Sequence, residues 1–369
     1  MAEQKLRVGL IGANGSPDRW GSRAHVPALM ALDEIELIAV GTAHEDTARN
    51  AQKRTGSKLA FSDYRDLVSS SEVDAVAVSV RISLHHPIVM AALAAKKHVF
   101  CEWPLALNAV QATEMELAAR EASVYHAVGT QSRFSPGLQY MRELIKDGFI
   151  GDPLFFNFQH HLGAMVAPPS HRWWQLRTDE GGGAILITTG HPIDVVRWML
   201  GDVHAVSGTA DTVLKEIEFT DTKEKQSVSA IDTICFAVQL DGSVLGVASA
   251  SIVCKGWGGF RLEVNGTKGR LLAETSHMVQ YSPSTIWSDV GGSMKQLQIP
   301  EHFTTVQTLE KESHAFHLAQ AMRSFAGAIQ EGSSFQPSFT EGLSLHKILE
   351  ALNRSTESLS LIHISEPTR

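Results

Sequence analysis

The sequence has few cysteines, no long apolar run and no surplus of positive charge. Its three cysteines, Cys101, Cys235 and Cys254, are dispersed over 369 residues and odd in number. This usage is typical of a reducing compartment and argues against a disulfide framework or a CxxC metal site. We therefore expect no metal and, as the default location, the cytoplasm.

A membrane or a nucleic acid as a direct partner is also not expected. A helix needs roughly 20 apolar residues to cross a bilayer, and no run approaches that length. The first residues, MAEQKLRVGLIG, enter a strand pattern without the features of a secretory leader. The 32 Lys and Arg against 40 Asp and Glu give a formal net charge of -8. A protein that binds a phosphate backbone needs the opposite balance.

What the sequence does contain is enough apolar material for a large core. It is 43% hydrophobic and 20% charged, which is typical of a soluble globular protein. A length of 369 residues suggests two domains.

The first third of the chain alternates short apolar runs with helical patterns. The strand-like runs are 6–13, 35–42, 73–80, 98–102 and 125–131, and the helical patterns between them are 25–32, 46–56, 85–97 and 108–122. Strands as uniformly apolar as these are covered on both faces. The pattern therefore predicts an α/β fold with a doubly wound parallel sheet, of the Rossmann type.

After Gly151 the rhythm changes to β-type runs joined by polar turns such as DGS and NGTKG. The runs are 152–163, 204–214, 232–240, 243–254, 260–274 and 277–282, and helical patterns return at 313–332 and 341–358. This predicts a second α/β domain with an open, mostly antiparallel sheet. Its exposed face favours a homodimer or a dimer of dimers.

These patterns also suggest where the domains begin and end. We expect a first domain over 1–131 and a second over 132–358. The amphipathic pattern of the last helix breaks in SLIHISEPTR, so we expect 359–369 to be a non-native or disordered tail.

The loop GLIGANGSPDRWGSRAH follows the first strand and precedes a helix. In that position exposed backbone N–H groups can hold a pyrophosphate. The stretch from Gly12 to Gly15 is an incomplete G-x-G-x-x-G, because Asn14 takes the second glycine position. Asn tolerates left-handed backbone geometry better than most residues, so the turn can survive. We predict a dinucleotide site here, with an ordinary strand-to-helix turn as the alternative.

The end of the second strand, AVGTAHEDTAR, bears on the choice of cofactor. An acid at its tip would bind the 2′-hydroxyl of NAD, but Thr42 and His44 stand there. Thr42 could bind a 2′-phosphate with His44 or Arg49 nearby, which favours NADP over NAD. The alternative is that Glu45 and Asp46 only cap a helix.

Four segments carry a resemblance to a known family. They are the N-terminal unit, HVFCEWPLA, SRFSPGLQYMRELIKDGFIGDPL and GGGAILITTGHPIDVVRWMLG. In this order they resemble the glucose-fructose oxidoreductase, inositol dehydrogenase and MocA family. The resemblance implies a Rossmann domain, a C-terminal α/β domain, a bound NAD(P), and a small-molecule substrate whose sugar or polyol hydroxyl is oxidised or formed.

The resemblance also implies which residues line the cofactor. By similarity, the pyrophosphate residues are Gly12, Asn14 and Gly15, and the ribose and nicotinamide residues are Ser83, His85, Glu102 and Gln131. We add Trp20, from the long loop, and Thr42 to this predicted set.

The sequence departs from the family at the positions that move the proton. Members end the strand in Glu-Lys-Pro, whereas this chain reads Glu102-Trp103-Pro104. The family's Asp position is Ile187, and only His191 matches. Neither Trp nor Ile titrates near neutral pH. We therefore predict His191 as the acid/base, since its unperturbed pKa lies near 6.5.

Several residues around this predicted centre have open roles. His160, His161 and His171 are candidate helpers, although a histidine is more often a hydrogen-bonded structural residue than a catalyst. Trp103 either walls the nicotinamide or substrate, or merely fills the cleft.

A narrower resemblance concerns Trp103 itself. GSPDRWGSRAHVPAL, SLHHPIVMAAL and EWPLA together resemble the branch of the fungal galactose-pathway repressor, which binds a nicotinamide nucleotide and regulates a transcription activator. Pro104 is kept as in the enzymes. Three hypotheses follow. The chain is an NAD(P)-dependent oxidoreductase for a sugar-like or secondary-metabolite hydroxyl or carbonyl, a nucleotide-sensing co-regulator, or a redox-neutral enzyme with a retained cofactor. We favour the first.

Overall fold

The computed structural model describes residues 5–16, 19–256 and 258–364. It divides into a first unit, Met1–Phe134 with Thr304–Ser344, and a second unit, Ser135–Phe303 with Leu345–Arg369. The domain division at 131/132 stays a prediction, and the contact-based units differ from it by giving 304–344 to the first unit.

The first unit contains a parallel sheet of six strands over the described residues, in the order β3-β2-β1-β4-β5-β6. The strands are β1 (Leu6–Ile11), β2 (Ile35–Gly41), β3 (Leu59–Phe61), β4 (Ala75–Val78), β5 (His98–Glu102) and β6 (His126–Gly129). The helices are α1 (Val26–Met30, after a π-helical turn Gly21–His25), α2 (Glu45–Thr55), α3 (Tyr64–Ser69), α4 (His85–Ala94) and α5 (Ala109–Ala122). All four residues of β4 are buried, as expected for a strand covered on both faces. The predicted Rossmann sheet is confirmed.

The second unit is built on a sheet of nine strands over the described residues, in the order β16-β15-β14-β13-β7-β12-β11-β8-β17. The strands are β7 (Pro153–His161), β8 (Val203–Asp211), β9 (Glu216–Glu218), β10 (Lys225–Ser227), β11 (Thr233–Leu240), β12 (Leu245–Ser251), β13 (Gly259–Gly266), β14 (Gly269–Thr275), β15 (Ser284–Ser288), β16 (Lys295–Leu297) and β17 (Ile362–His363). β7 and β12 are parallel and the other neighbours antiparallel, so the predicted mostly antiparallel sheet is confirmed. β9 and β10 form a separate hairpin.

Helices complete both units. They are α6 (Pro136–Lys146), α7 (Gly190–Leu200), α8 (Phe316–Glu331) and α9 (Phe339–Ser358), with shorter 3₁₀ or π turns at Ile82–Leu84, Gln131–Phe134, Ser170–Leu176, Thr178–Glu180, Ala184–Thr189, Asp241–Ser243 and Glu301–Phe303. Phe316 and Phe325 of α8 belong to the core cluster of the first unit. No helix within the described ranges is long and apolar enough to cross a membrane.

The structure differs from the sequence-based expectation in two segments. The run 277–282 is not a strand. Tyr281 N and Ser282 N both donate to Met278 O and close a turn, a local closure that strand-like composition does not reveal. Of the predicted tail 359–369, residues 365–369 lie outside the described part of the chain, and Ile362–His363 pairs with β8 as the edge strand β17.

Candidate cofactor and active-site residues

The glycine-rich loop begins directly after β1 and needs glycine for a steric reason. Gly12 has φ +112°, and a Cβ there would lie 2.0 Å from the carbonyl oxygen of Ser79, which follows β4. Gly12 N donates to Gly41 O at 2.9 Å. The loop thus lies against the ends of β2 and β4, where no side chain separates backbone from a ligand.

The rest of the loop turns through Asn14 and Gly15. The Asn14 side-chain oxygen accepts from Ser16 N at 3.2 Å, and Gly15 has φ +91°. Trp20 is half-buried and stacks edge-on against His314. The next two residues of the loop, Pro17 and Asp18, lie outside the described residues.

The tip of β2 holds its polar side chains within its own turn. The Thr42 hydroxyl donates to His44 O at 2.9 Å and lies 2.6 Å from the Thr47 hydroxyl. Glu45 and Asp46 occupy the first turn of α2, where acids are favourable, and Arg49 pairs with Glu45. Arg49 therefore already has an anionic partner.

At the end of β5, Glu102 forms a buried pair that the sequence did not reveal. Glu102 Oε1 lies 2.6 Å from His25 Nε2, and the His25 side chain is fully buried. His25 stands on the turn that leads into α1. The pair therefore connects the segment after the glycine-rich loop to the end of β5. It also occupies one carboxylate oxygen of Glu102, which was predicted to contact the ribose or nicotinamide.

The residues after Glu102 are held by His85. Trp103 is 6% exposed. His85 Nδ1 lies 2.9 Å from Pro104 O, and its Nε2 lies 3.2 Å from Val80 O. Burial lowers the pKa of His85, so the ring is neutral near pH 7 and its single N–H donates to only one of these two carbonyl oxygens. His85 thus positions the Trp103 segment through backbone contacts, and Ser83 lies half-buried in the preceding turn.

The segment after β6 differs from the other strand ends. Thr130, Gln131 and Ser132 are at most 1% exposed. The hydroxyls of Thr130 and Ser132 and both amide atoms of Gln131 have no hydrogen-bond partner among the described residues. Leaving a buried polar atom unsatisfied costs about 1–3 kcal/mol. Four such atoms in three consecutive residues indicate a place where a polar ligand or water completes the structure. Sequence reasoning had singled out Gln131 but not Thr130 or Ser132.

In the second unit, His160 and His191 are brought together. His191 is 3% exposed on the first turn of α7. His160, on β7, contacts Thr188 O through Nδ1 at 2.8 Å. Because a carbonyl oxygen only accepts, Nδ1 carries the proton. Ile187 precedes Thr188 in the π-helical turn that leads into α7.

The protonation state of His160 follows from its surroundings. Burial, with a smaller contribution from charge on His191, lowers the pKa of His160 to about 3. The ring is therefore neutral near pH 7, and Nε2 has a free lone pair. This atom and the Thr188 hydroxyl are buried and have no hydrogen-bond partner in the described part of the chain. The predicted helper His160 is thus suited to accept a hydrogen bond rather than to exchange a proton.

The other predicted histidines lie in different surroundings. His161 is half-buried, and its Nε2 lies 2.9 Å from the Ser249 hydroxyl. Since neighbouring residues of a strand point to opposite faces, His161 points away from His160. His171 lies in the turn Ser170–Leu176. His277, which sequence reasoning missed, also contributes to the lowered pKa of His160 and contacts the Tyr281 hydroxyl at 2.6 Å.

No cluster of three or more His, Cys, Asp or Glu residues suited to a metal ion occurs among the described residues.

Comparison with known proteins gives the family. Residues 6–130 match the model described as the oxidoreductase family, NAD-binding Rossmann fold. Residues 138–272 match that of the GFO/IDH/MocA C-terminal domain. A myo-inositol 2-dehydrogenase from Thermotoga maritima is 29% identical over 73% of this chain and 75% of its own length. The galactose/lactose metabolism regulatory protein GAL80 of Saccharomyces cerevisiae is 23% identical over 98% of this chain and 94% of its own length.

A solved structure shows the same fold over the whole chain. The levoglucosan dehydrogenase in complex with NADH and L-sorbose superposes with a TM-score of 0.85 and is 22% identical in sequence. The superposition covers 99% of this chain and 100% of the dehydrogenase chain. The two domain matches cover the whole six-stranded sheet and strands β7, β8, β11, β12 and β13 of the nine-stranded sheet, and they identify the chain as a member of the GFO/IDH/MocA family of NAD-binding oxidoreductases.

Proposed function

We propose that this protein is an NAD(P)-dependent oxidoreductase that acts on a hydroxyl or carbonyl of a sugar-like, polyol or secondary-metabolite substrate. The observation that carries the proposal is the set of four buried, unsatisfied side-chain atoms at Thr130, Gln131 and Ser132. They follow β6, at the carboxyl edge of a parallel sheet, where dinucleotides bind in this fold class.

The residues at this sheet edge fit a nicotinamide dinucleotide. Gly12 keeps the backbone after β1 free of side chains, as a pyrophosphate requires. The unsatisfied hydroxyls and the Gln131 amide offer donors and acceptors of the kind that a ribose and a carboxamide need. When bound, the cofactor supplies the hydride chemistry. The chain's own contribution is to bind, orient and exchange the proton.

NADP is proposed over NAD. The support is that the residues from Gly41 to His44 carry no carboxylate that would repel a 2′-phosphate. Thr42 and Arg49 are already engaged by neighbouring residues of the same segment. We therefore propose that a different cation attracts the 2′-phosphate.

His191 is proposed to exchange the proton of the substrate hydroxyl. The family's Lys and Asp positions are Trp103 and Ile187, which cannot titrate. His160 is proposed to orient the substrate, because its neutral Nε2 accepts a hydrogen bond from a hydroxyl and its buried position is otherwise unsatisfied. A myo-inositol dehydrogenase among the relatives supports a polyol as the substrate class.

Trp103 is proposed to wall the nicotinamide end of the cofactor site. An indole offers a flat apolar surface and one donor where the family has a charge. Trp103→Lys tests this role. A wall predicts that the lysine abolishes or redirects activity, whereas a filler predicts little change in substrate choice.

The function is tested by incubating the protein with NADP⁺ or NAD⁺ and a panel of polyols, sugars and sugar acids while following reduced nicotinamide by absorbance. Reduction with at least one substrate class supports the proposal. Nucleotide binding without reduction of the nucleotide by any substrate favours the co-regulator. This alternative is supported by the similarity to the regulatory protein GAL80. Substrate conversion detected by mass spectrometry without net reduction favours redox-neutral chemistry.

A homodimer or dimer of dimers through the open sheet is also proposed. Leu245 is paired with Phe155 across β12 and β7, and Leu245 and Val247 are 53% and 49% exposed. Adjacent exposed apolar residues on a broad sheet favour self-association. Light scattering should give at least twice the mass of the chain, and Val247→Lys should reduce it. A monomeric wild type contradicts this assembly. The cytoplasmic location stays a prediction.

A further inference from the structure

Arg54 lies on the glycine-rich loop, although it belongs to a different element. It stands in the last turn of α2, 41 residues after Ala13. Its Nη2 donates to Ala13 O at 3.3 Å and to the Ser22 hydroxyl oxygen at 3.4 Å. A Cβ at Gly15 would lie 2.5 Å from its Nη1. The guanidinium therefore rests directly against the backbone of the loop.

The charge of Arg54 is not neutralised by any carboxylate in the described ranges. Its hydrogen bonds go to neutral oxygens, and both use Nη2. Its Nε and Nη1 donors make no hydrogen bond to a described residue. Arg49, on the same helix, contrasts with it because it is paired with Glu45. Arg54 thus presents a cation with unused donors beside a loop whose backbone is bare.

We propose that Arg54 binds a phosphate of the adenosine half of the dinucleotide. An arginine fork matches the geometry of phosphate oxygens and forms charge-assisted hydrogen bonds. The Ser22 hydroxyl supports this arrangement, because it accepts from Gly15 N at 3.1 Å and keeps its own proton to donate.

The position of Arg54 gives it a role that Thr42 and Arg49 do not fill. The α2 helix leaves the tip of β2, which is the strand end that reads the adenosine ribose in this fold class. Gly15 lies in the loop that approaches the pyrophosphate. A guanidinium against Gly15 and on α2 is therefore within the adenosine side of the predicted site. This inference rests on the proposed cofactor function.

The test is calorimetric titration of the wild type, Arg54→Gln and Lys53→Gln with NADP⁺ and with NAD⁺. Lys53 is the matched control, since it is an exposed cation on the neighbouring position of the same helix turn. We expect Arg54→Gln to raise the Kd for NADP⁺ roughly tenfold or more. Lys53→Gln should leave it unchanged. The wild-type affinity should also fall more steeply with added salt than that of Arg54→Gln.

The two nucleotides identify the phosphate. A loss confined to NADP⁺ assigns Arg54 to the 2′-phosphate, and an equal loss for both assigns it to the pyrophosphate. Both outcomes support the proposal. Unchanged affinity of Arg54→Gln for both nucleotides overturns it while leaving the cofactor function intact. A wild type that binds neither nucleotide overturns the cofactor function and this inference together. Thermal unfolding of the apo proteins shows whether the exposed Arg54 side chain matters for folding.

Discussion

The first unit and the second unit treat their buried polar groups in different ways. At the sheet edge of the first unit, His25 pairs with Glu102, and His85 contacts two carbonyl oxygens. Four unsatisfied side-chain atoms lie together after β6, on Thr130, Gln131 and Ser132. In the second unit, two of the unsatisfied atoms belong to Thr188 and to His160, which lies close to His191. We interpret the first pattern as the proposed cofactor site, and the second as the proposed site for a substrate hydroxyl beside His191.

This difference separates binding from proton transfer. The residues proposed to bind the dinucleotide are all on the first unit, and none of them replaces the lysine of the family. The substitutions Trp103 and Ile187 remove proton carriers without adding any. Cofactor affinity and turnover should therefore respond to different mutations, and the predictions below follow from that separation.

The largest expected effect comes from His191→Ala. Removing the proposed acid/base should lower turnover by roughly 10²–10⁴ and leave the Kd for the nucleotide nearly unchanged. Steady-state kinetics and calorimetry measure the two quantities. His204→Ala, at a half-exposed histidine of the same unit, is the control and should retain turnover. Full activity of His191→Ala would place the chemistry on another residue.

The next largest effect is expected from a substitution in the proposed cofactor site of the first unit. Gly12→Ala forces a Cβ to within 2.0 Å of Ser79 O at φ +112°, so we expect a loss of roughly 2–4 kcal/mol of stability and much weaker nucleotide binding. Gly56→Ala is the matched control, because Gly56 also has a positive φ but a Cβ there meets open space. It should cost only about 1 kcal/mol. Thermal unfolding compares them, and equal midpoints would contradict the steric argument.

The fold was more accessible from the sequence than these contacts were. Apolar strands and helical spacing identified the parallel sheet, because both patterns depend on neighbouring residues. The need for glycine at position 12 was also readable, since the loop follows a strand. The turn at 277–282 was not, because its closure depends on two backbone hydrogen bonds to Met278.

The site depends more on distant contacts. His25 meets Glu102 across 77 residues, and His160 meets Thr188 across 28. Such pairs are set by tertiary packing and leave no periodic trace. The low pKa of His160 follows from its burial. The alternation in β7 shows that neighbouring residues lie on opposite faces, but it does not show how deeply either face is buried. The placement of Arg54 on the loop has the same origin.

A smaller effect concerns pH and the second unit alone. The unfolded His160 takes a proton with a pKa near 6.5, whereas the folded residue stays neutral until the pH approaches about 3. Its contribution to stability is therefore complete above the unfolded pKa and is lost as the pH falls. At about pH 5 the protonation of this residue in the unfolded state should lower the free energy of unfolding by about 2 kcal/mol. His160→Asn retains a donor to Thr188 O and should show a shallower loss in denaturant titrations. Parallel pH slopes for the two proteins would refute the neutral buried state.

The central claim is that the first unit binds a nicotinamide dinucleotide. Calorimetric titration of the purified wild-type chain with NADP⁺ and NAD⁺ tests it most directly. The account predicts saturable binding of at least one nucleotide, with NADP⁺ the tighter, and loss of that binding in Gln131→Leu, which removes two buried polar atoms from the segment after β6. Absence of binding to either nucleotide at roughly millimolar concentration, about 4 kcal/mol of binding free energy, would contradict it.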